Sequence, residues 1–338
     1  MQPAACSRPG RDLRPYAAFP DVMLRISKRS ITDISLLVLV NGIWGAQFTA
    51  YKLVSNEIRP VTVSAWIFLI AAVVLIPFVV HERSRNRAAR ASFLAANGGR
   101  SLFSRRNLLG FLAIGVLGLV PASAFMAWGV ARSTASNSAL INLAVPIITA
   151  LMAVAMLGEK MTPARWMSLF ISLVGVLILS DLDWRHLELT SSKFLLGNFL
   201  VLLSCTSSSF YNVCSKELLR RFSPVEVLTF GYFLAVLVSV PLVCLTEPFS
   251  LDAMRHYAPS TWIGLLLLGV FVWGLAMILW LFLLKRLDVS QASVSVYLLP
   301  FLGVLISAIF LGERITGTMI LGGGITLGGT ILIVSMDR

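Results

Sequence analysis

Polar and aromatic side chains inside apolar segments are the residues of this chain that could bind a ligand. Trp44, Gln47 and Tyr51 lie at positions i, i+3 and i+7, so they share one face of a helix. Such a face can hydrogen-bond a neutral or zwitterionic molecule while its aromatic rings cover the apolar part of that molecule. We therefore predict that this helix contributes a binding surface for small amphipathic molecules.

Two later apolar segments carry similar polar stripes. One consists of Ser204, Ser208, Tyr211 and Ser215, and the other of Ser138, Asn142 and Thr149. Candidate aromatic walls are Trp128, Trp273, Trp280 and Tyr297. From these sets we predict a cavity whose substrate-binding residues are Trp44, Gln47, Tyr51, Asn142, Ser208, Tyr211 and Tyr297. The alternative is that Ser, Thr and Asn hold helices together and that each Trp anchors the chain at a membrane surface.

Two prolines interrupt apolar runs. Pro146 and Pro300 each remove one backbone hydrogen bond and free the carbonyl groups of Asn142 and Val296. Such a break is tolerated where a cavity or a neighbouring group satisfies the freed carbonyl. We predict that Pro146 and Pro300 form a paired hinge near the substrate, and a static kink is the alternative.

The composition places these stripes in a membrane. Hydrophobic residues make up 57% of the 338 residues, charged residues make up 13%, and the mean hydropathy is +0.84. Apolar segments recur along the chain, each about long enough to cross ~30 Å of hydrocarbon as a helix. We predict an all-α membrane protein with ten transmembrane helices, at residues 34–55, 61–80, 108–130, 136–157, 163–180, 195–215, 224–245, 260–284, 290–311 and 316–335.

The basic residues indicate how these helices are oriented. With the N-terminus inside, Lys and Arg concentrate in the inner segments, including the Arg-rich loop 81–107. We therefore predict a multi-pass protein of the inner (plasma) membrane with both termini in the cytoplasm. Residues 1–33 are predicted to be a disordered cytoplasmic leader, with Met23 as an alternative start to Met1. The net charge of +12 is attributed to topology, and no nucleic-acid partner is expected.

The chain contains an internal repeat. Pro146, Gly158 and Thr162 recur as Pro300, Gly312 and Thr316, each displaced by 154 residues. Earlier landmarks recur with an offset of 164, which makes the Arg-rich loop an insertion. Two units of five spans follow, residues 34–180 and 195–335. Because five is odd, the second unit enters the membrane from the opposite side, as in transporters built from inverted repeats.

The repeated motifs resemble those of EamA-type members of the drug/metabolite transporter superfamily. They are Asn137-Ser138-Ala139-Leu140 and Gln291-Ala292-Ser293-Val294, the mid-helix prolines, Gly158-Glu159-Lys160 and Gly312-Glu313-Arg314, and the Trp44-Gly45 pair. The resemblance implies ten helices in two inverted halves and alternating-access movement of small metabolites, frequently export. In the sixth helix, Cys205 to Ser209 replace the expected Trp-Gly pair.

Several absences limit the other functions. No carboxylate lies deep in a span, and Glu159 and Glu313 at helix ends are expected to cap and anchor, with gating as the alternative. No phosphate-binding loop or cluster of His and Cys occurs, so no cofactor, metal site or enzyme activity is expected. We predict a secondary transporter that exports amino acids or related amphipathic compounds across the inner membrane. The alternatives are a flippase or drug exporter of the same fold, or a non-transporting receptor.

Two further features are left open by the sequence. Lys52 and Lys216 occupy repeated positions at span ends and could reach inward. Gly324 and Gly328 have the spacing of closely packed membrane helices. They indicate close packing within the chain, and a homodimer through this face is the alternative. The expected partners are otherwise a small-molecule substrate and the lipid bilayer.

Overall fold

The computed structural model describes residues 28–85, 104–180, 189–248, 251–311 and 316–336. Most of the predicted leader, most of the Arg-rich loop and the motif Gly312-Glu313-Arg314 lie outside these ranges. Within them, every element of regular structure is a helix. The helices are α1 (Lys28–Val54), α2 (Pro60–Arg85), α3 (Arg105–Val130), α4 (Ala135–Asn142), α5 (Val145–Leu157), α6 (Pro163–Leu179), α7 (Leu195–Leu219), α8 (Pro224–Thr246), α9 (Leu251–Arg255), α10 (Pro259–Arg286), α11 (Val289–Val294), α12 (Leu298–Leu311) and α13 (Gly317–Ser335).

The helices have the length and composition of membrane spans. In the described part of the chain, six helical stretches are long and apolar enough to cross a bilayer, one of them formed by α4 and α5 together, and three shorter apolar stretches accompany these six. The chain is therefore an integral membrane protein of all-helical fold. Every span predicted from hydropathy overlaps a helix of the structure, while the count of ten spans stays a prediction.

Side-chain caps fix where several helices begin. Thr162, Ser223 and Thr316 each precede a helix and accept a hydrogen bond from the backbone N–H three residues later. Ser223 also forms a capping box with Glu226. Since an uncapped N–H in an apolar surrounding is costly, these residues determine the helix boundaries.

The N-terminal segment (residues 28–180) and the C-terminal segment (residues 189–336) pack against each other along their whole length. Helix α1 packs on α10 and α12, α2 on α8, α3 on α7, and α6 on α13. Gly45 brings the backbones of α1 and α12 together, because a Cβ there would lie 3.0 Å from the Gly303 nitrogen. The main hydrophobic core is accordingly shared between the two segments.

Helices α6 and α13 cross through a reciprocal contact. The Ser172 hydroxyl donates to the Thr326 carbonyl at 3.4 Å. The Thr326 hydroxyl donates to the Gly322 carbonyl of its own helix at 2.9 Å and also lies 3.4 Å from the Ser172 carbonyl. These two residues are 154 positions apart, the separation of the repeated sequence landmarks. On the opposite side of α13, an added Cβ at Gly324 or Gly328 would meet no atom within 4 Å. Dimerisation through that side stays a prediction.

The helical segments that contain Pro146 and Pro300 are broken just before the proline, whereas Pro77 and Pro241 lie within the unbroken helices α2 and α8. Helix α4 ends at Asn142 and α5 begins at Val145, so Pro146 occupies the first turn of α5. In the other segment a 3-10 turn over Ser295–Tyr297 separates α11 from α12, which contains Pro300. A proline near the start of a helix has no hydrogen bond to lose, which explains why each break precedes it.

Candidate functional site

An aromatic cluster lies where α1 and α2 meet α8 and α10. The Trp44 ring of α1 is 5.2 Å from the Trp280 ring of α10. Phe68 of α2 stacks on Tyr232 of α8 at 5.6 Å and meets Trp273 edge-on at 5.3 Å. These centroid distances are typical of attractive aromatic pairs. The aromatic cluster, Trp44, Phe68, Tyr232, Trp273 and Trp280, therefore joins the two segments.

Two members of the cluster are fixed by hydrogen bonds. The Trp280 indole N–H donates to Asn212 Oδ1 of α7 at 3.0 Å. The Tyr232 hydroxyl donates to the Trp273 carbonyl at 2.7 Å. The Trp273 carbonyl lies in the π-helical part of α10, over Leu267–Ala276, where the backbone hydrogen bonds depart from the regular α-helical pattern. The Tyr232 hydroxyl therefore satisfies a backbone acceptor in this irregular stretch.

Four other polar atoms in this region are buried: the indole nitrogen of Trp273, the hydroxyls of Tyr211 and Ser215, and Oδ1 of Asn41. The Trp273 N–H lies beside the Tyr51 hydroxyl and the Tyr211 hydroxyl lies beside Ser215, but neither pair has the geometry of a full hydrogen bond. Tyr211 is 4% exposed and lies against Gly118 of α3. Because a buried polar atom without a full hydrogen bond costs about 1–3 kcal/mol, such atoms are suited to bind a ligand.

The predicted stripe on α1 enters this region in part. Trp44 contacts Trp280 directly. Tyr51 and Trp273 both pack against a separate hydrophobic cluster that contains Ala50. Gln47 is half-buried on the same helix. The structure thus places two of the three α1 residues beside the aromatic cluster.

The other predicted stripes are used largely for packing between helices. Thr149 donates to the Ser209 hydroxyl at 2.9 Å, and Ser204 donates to the Ala122 carbonyl at 2.6 Å. Asn142 is exposed at the end of α4 and accepts a weak bond from the Cys205 thiol at 3.6 Å. Ser208 is half-buried on α7. For Thr149 and Ser204, contacts between helices account for the polar group without a ligand.

Tyr297 has a different environment from the one expected. It is buried in the 3-10 turn before α12, and its hydroxyl donates to the Leu143 carbonyl at 2.8 Å. Leu143 lies in the break between α4 and α5, where a carbonyl has lost its helical partner. Tyr297 therefore joins the two helix breaks, and in this state its hydroxyl is already engaged.

Ionic contacts join the segments at the face where α1 begins and α13 ends, here called the terminal face. Arg286 pairs with Asp33 at 3.1 Å, and Arg165 pairs with Asp288 at 2.9 Å. Arg165 is buried. Each pair joins the N-terminal segment to the C-terminal segment, so the terminal face is closed across the junction.

Glu159 belongs to the same face. Its carboxylate accepts from the backbone N–H groups of Val289 and Ser290 at 2.7 and 3.0 Å, and from the Ser290 hydroxyl at 2.7 Å. A carboxylate at the start of a helix is favourable because it satisfies free N–H groups and opposes the helix dipole. Capping is thus the observed role of Glu159, although the helix it caps belongs to the other segment.

Lys216 also lies at the terminal face. Its ammonium donates to the Leu287 carbonyl at 2.6 Å and to the Leu284 carbonyl, at the C-terminal end of α10. A cation there stabilises the negative end of the helix dipole. Lys216 therefore does not reach the aromatic cluster in this state.

Carboxylates make similar contacts at the opposite face. Glu247 accepts from the backbone N–H groups of Val61 and Thr62 at 3.0 and 2.8 Å, which caps α2. Glu57 accepts from the Thr261 hydroxyl at 2.7 Å in the first turn of α10. Burial, and to a lesser extent the nearby Glu57 carboxylate, raise the pKa of Tyr257, which keeps its phenol neutral.

The charged side chains of the two faces lie apart from the aromatic cluster. The carboxylates and cations of the two faces lie near helix ends, whereas the aromatic cluster consists of neutral side chains. Among the described residues, no group of three His, Cys, Asp or Glu side chains could hold a metal ion. The site is therefore suited to neutral or zwitterionic molecules.

Sequence reasoning missed Asn41, Asn212 and Phe68. Asn41 Nδ2 donates to the Ser295 hydroxyl at 3.1 Å, next to the break before α12. Asn41 precedes Trp44 by three residues, so extending the stripe on α1 toward its start would have included it. Asn212 directly follows Tyr211 and lies on a different part of the α7 surface, and no periodicity distinguishes Phe68 from other apolar residues of α2.

Comparison with protein families gives two matches along the chain. The EamA-like transporter family matches residues 32–181 and again residues 195–335. These ranges cover most of the chain and exclude the residues before α1. A solved structure described only as the crystal structure of a protein superposes with a TM-score of 0.69 at 19% identity, over 89% of this chain and 97% of the other.

Curated relatives are named as transporters. An "Uncharacterized transporter" of Archaeoglobus fulgidus is 24% identical over 302 residues, which are 88% of this chain and 97% of the relative. A protein of Streptantibioticus cattleyicolor named "Probable terminal-alkyne amino-acid exporter" is 24% identical over 222 residues, which are 65% of this chain and 70% of the relative.

Proposed function

Because the chain belongs to the EamA-like transporter family, we propose that it is a secondary transporter that exports small amphipathic metabolites across the inner membrane. Amino acids and related compounds are the proposed substrates. The name of the Streptantibioticus cattleyicolor relative supports both this substrate class and the direction. The neutral character of the aromatic cluster agrees with substrates that carry no net charge.

The proposed architecture is ten transmembrane helices in two inverted repeats, residues 34–180 and 195–335, with both termini in the cytoplasm. Two observations support it. The family matches the chain twice, and residues 154 positions apart meet reciprocally at Ser172 and Thr326. A contact between equivalent positions is the pattern expected on a two-fold axis.

The observation that carries the proposal is the contact between Trp44 and Trp280 at the junction of the segments. A substrate bound there would lie between two bodies that can rock against each other, as alternating access requires. Its apolar part would lie on the indole rings, and its polar part would bind the polar groups of Tyr211 and Trp273, which make no full hydrogen bond. Gln47, Asn142 and Ser208 are proposed to line the approach to this site.

In the proposed cycle, the described state is closed at the terminal face. To open that face, the segments must separate Arg286 from Asp33, Arg165 from Asp288, and Glu159 from α11. The helix breaks next to Pro146 and Pro300 are the proposed hinges, because the backbone ladder is already interrupted there. Tyr297 would then leave the Leu143 carbonyl as the breaks move apart.

The test is counterflow in proteoliposomes with labelled neutral, aromatic and basic amino acids, with and without a pH gradient. We expect saturable counterflow of neutral substrates by the wild type and impaired counterflow by Gln47→Ala and Asn142→Ala. Leu39→Ala, on an exposed part of α1, is the control and should transport normally. If folded wild-type protein moves none of these amino acids, the amino-acid proposal is wrong, and drugs and lipid head groups are tested next.

A further inference from the structure

The two tryptophans of α10 differ in their hydrogen bonds. Trp273 and Trp280 are seven residues apart, and their rings contact Phe68 and Trp44 of the N-terminal segment, respectively. The Trp280 N–H donates to Asn212 Oδ1 at 3.0 Å, whereas the Trp273 N–H lies beside the Tyr51 hydroxyl without the geometry of a full hydrogen bond. The Trp280 indole is thus held more firmly than the Trp273 indole.

The bond from Asn212 determines how the Trp280 ring lies. Trp280 is 1% exposed and Asn212 is 8% exposed, so water does not replace either partner readily. A rotation of the indole would bury its N–H without an acceptor, which is unfavourable. Asn212 therefore selects the orientation in which the Trp280 ring lies 5.2 Å from Trp44, tilted by 55°.

We propose that Asn212 is a positioning residue that holds Trp280 against Trp44 and thereby sets the preference of the site for substrates with bulky apolar groups. This inference rests on the proposed function. The indole pair forms a fixed surface for the apolar part of a substrate, and fixing a surface before binding improves affinity because less freedom is lost. Substrates without a bulky group do not contact this surface, so Asn212 should affect them little.

Asn212→Leu removes the acceptor at similar volume, and Asn212→Asp keeps it in the neutral, protonated acid that this buried apolar surrounding favours. Thr206→Val is the matched control on the same helix, because the Thr206 hydroxyl only bonds back to the Leu202 carbonyl on an exposed part of α7. The first measurement, near-ultraviolet circular dichroism in detergent, is independent of transport. Asn212→Leu should change the tryptophan signal as Trp44→Phe does, the double variant should add little, and Asn212→Asp and Thr206→Val should resemble the wild type.

The second measurement is counterflow with a bulky and a small neutral amino acid. Asn212→Leu should raise the KM for the bulky substrate about tenfold, equivalent to about 1.4 kcal/mol, and leave its maximal rate and the KM of the small substrate nearly unchanged. Asn212→Asp should restore the wild-type ratio. A residue that only supports folding would lower the maximal rate for both substrates alike, and this result would overturn the proposed preference.

The two measurements separate the possible failures. An unchanged tryptophan signal in folded Asn212→Leu would refute the positioning role, whatever the transport result. A changed signal in a protein whose wild type moves no substrate would instead refute the proposed function and the preference that rests on it.

Discussion

The crossing of α6 and α13 predicts a sharp difference between two glycines of one helix. A Cβ added at Gly322 would lie 2.6 Å from both the Gly175 carbonyl oxygen and the Leu179 nitrogen. Both are backbone atoms, so the overlap cannot be relieved by turning a side chain. Overpacking of this kind costs about 1–3 kcal/mol, and the better helix propensity of alanine recovers about 1 kcal/mol at most. Because two backbone atoms are overlapped at once, the cost lies in the upper part of that range, and after the gain in propensity Gly322→Ala should destabilise the protein by about 1–2 kcal/mol.

The assay is thermal unfolding of purified protein in detergent, and the control is Gly324→Ala. Gly324 lies in the interior of the same helix, but its added Cβ would meet nothing within 4 Å. We expect Tm to fall by roughly 2–6 °C for Gly322→Ala and to stay level or rise for Gly324→Ala. Equal Tm values for the two variants would refute the close crossing of α6 and α13.

Three other predictions concern the same molecule. Gly158 has φ of +70°, so Gly158→Ala should lower the free energy of unfolding by about 1–2 kcal/mol, measured by thermal unfolding, with an unchanged Tm as the contrary result. Arg165→Gln removes the ion pair with Asp288, whose carboxylate keeps the backbone hydrogen bond that caps α11. This loss should open the terminal face, so a cysteine introduced at buried Ser293 should react with a water-soluble maleimide several-fold faster than in the wild-type background. Tyr211→Phe removes a buried hydroxyl that makes no full hydrogen bond, so it should keep Tm and raise the KM for transport. Tyr232→Phe breaks a hydrogen bond and should lower Tm. A lower Tm for Tyr211→Phe together with an unchanged Tm for Tyr232→Phe would contradict the assigned roles.

Hydropathy and repeats predicted the parts of the fold that depend on local sequence. The predicted spans overlap the observed helices, while the division into two units of five spans stays a prediction. The position of Glu159 at a helix end was also predictable, because a carboxylate is costly inside a span. That its carboxylate caps α11 could not be predicted, since this depends on how the two segments dock.

The candidate site likewise combines features that follow from local sequence with contacts that depend on how the segments dock. The stripe of Trp44 and Tyr51 follows from helical periodicity, which is a local property. The partner of Trp44 is Trp280, more than two hundred residues away, and no spacing within either helix identifies it. Tyr297 has the residue type of a substrate-binding group, yet its hydroxyl is used by the Leu143 carbonyl. Residue type and helical face thus indicate which side chains can bind a ligand, while the packing of the segments decides which remain free to do so.

The separation of charge from the aromatic cluster bears on how a transporter of this kind could work. The described contacts at both faces use carboxylates that bind helix starts, and at both faces these contacts cross between the segments. When a face opens, water can replace the partner that each charged group there has lost. The free-energy difference between the closed and open states therefore stays moderate. A charged group in the centre would lose its partners without gaining water, and a substrate with net charge would meet the same cost. In the proposed transporter, a neutral centre between charged faces would therefore favour movement of the segments and, by the same physics, would select substrates without net charge.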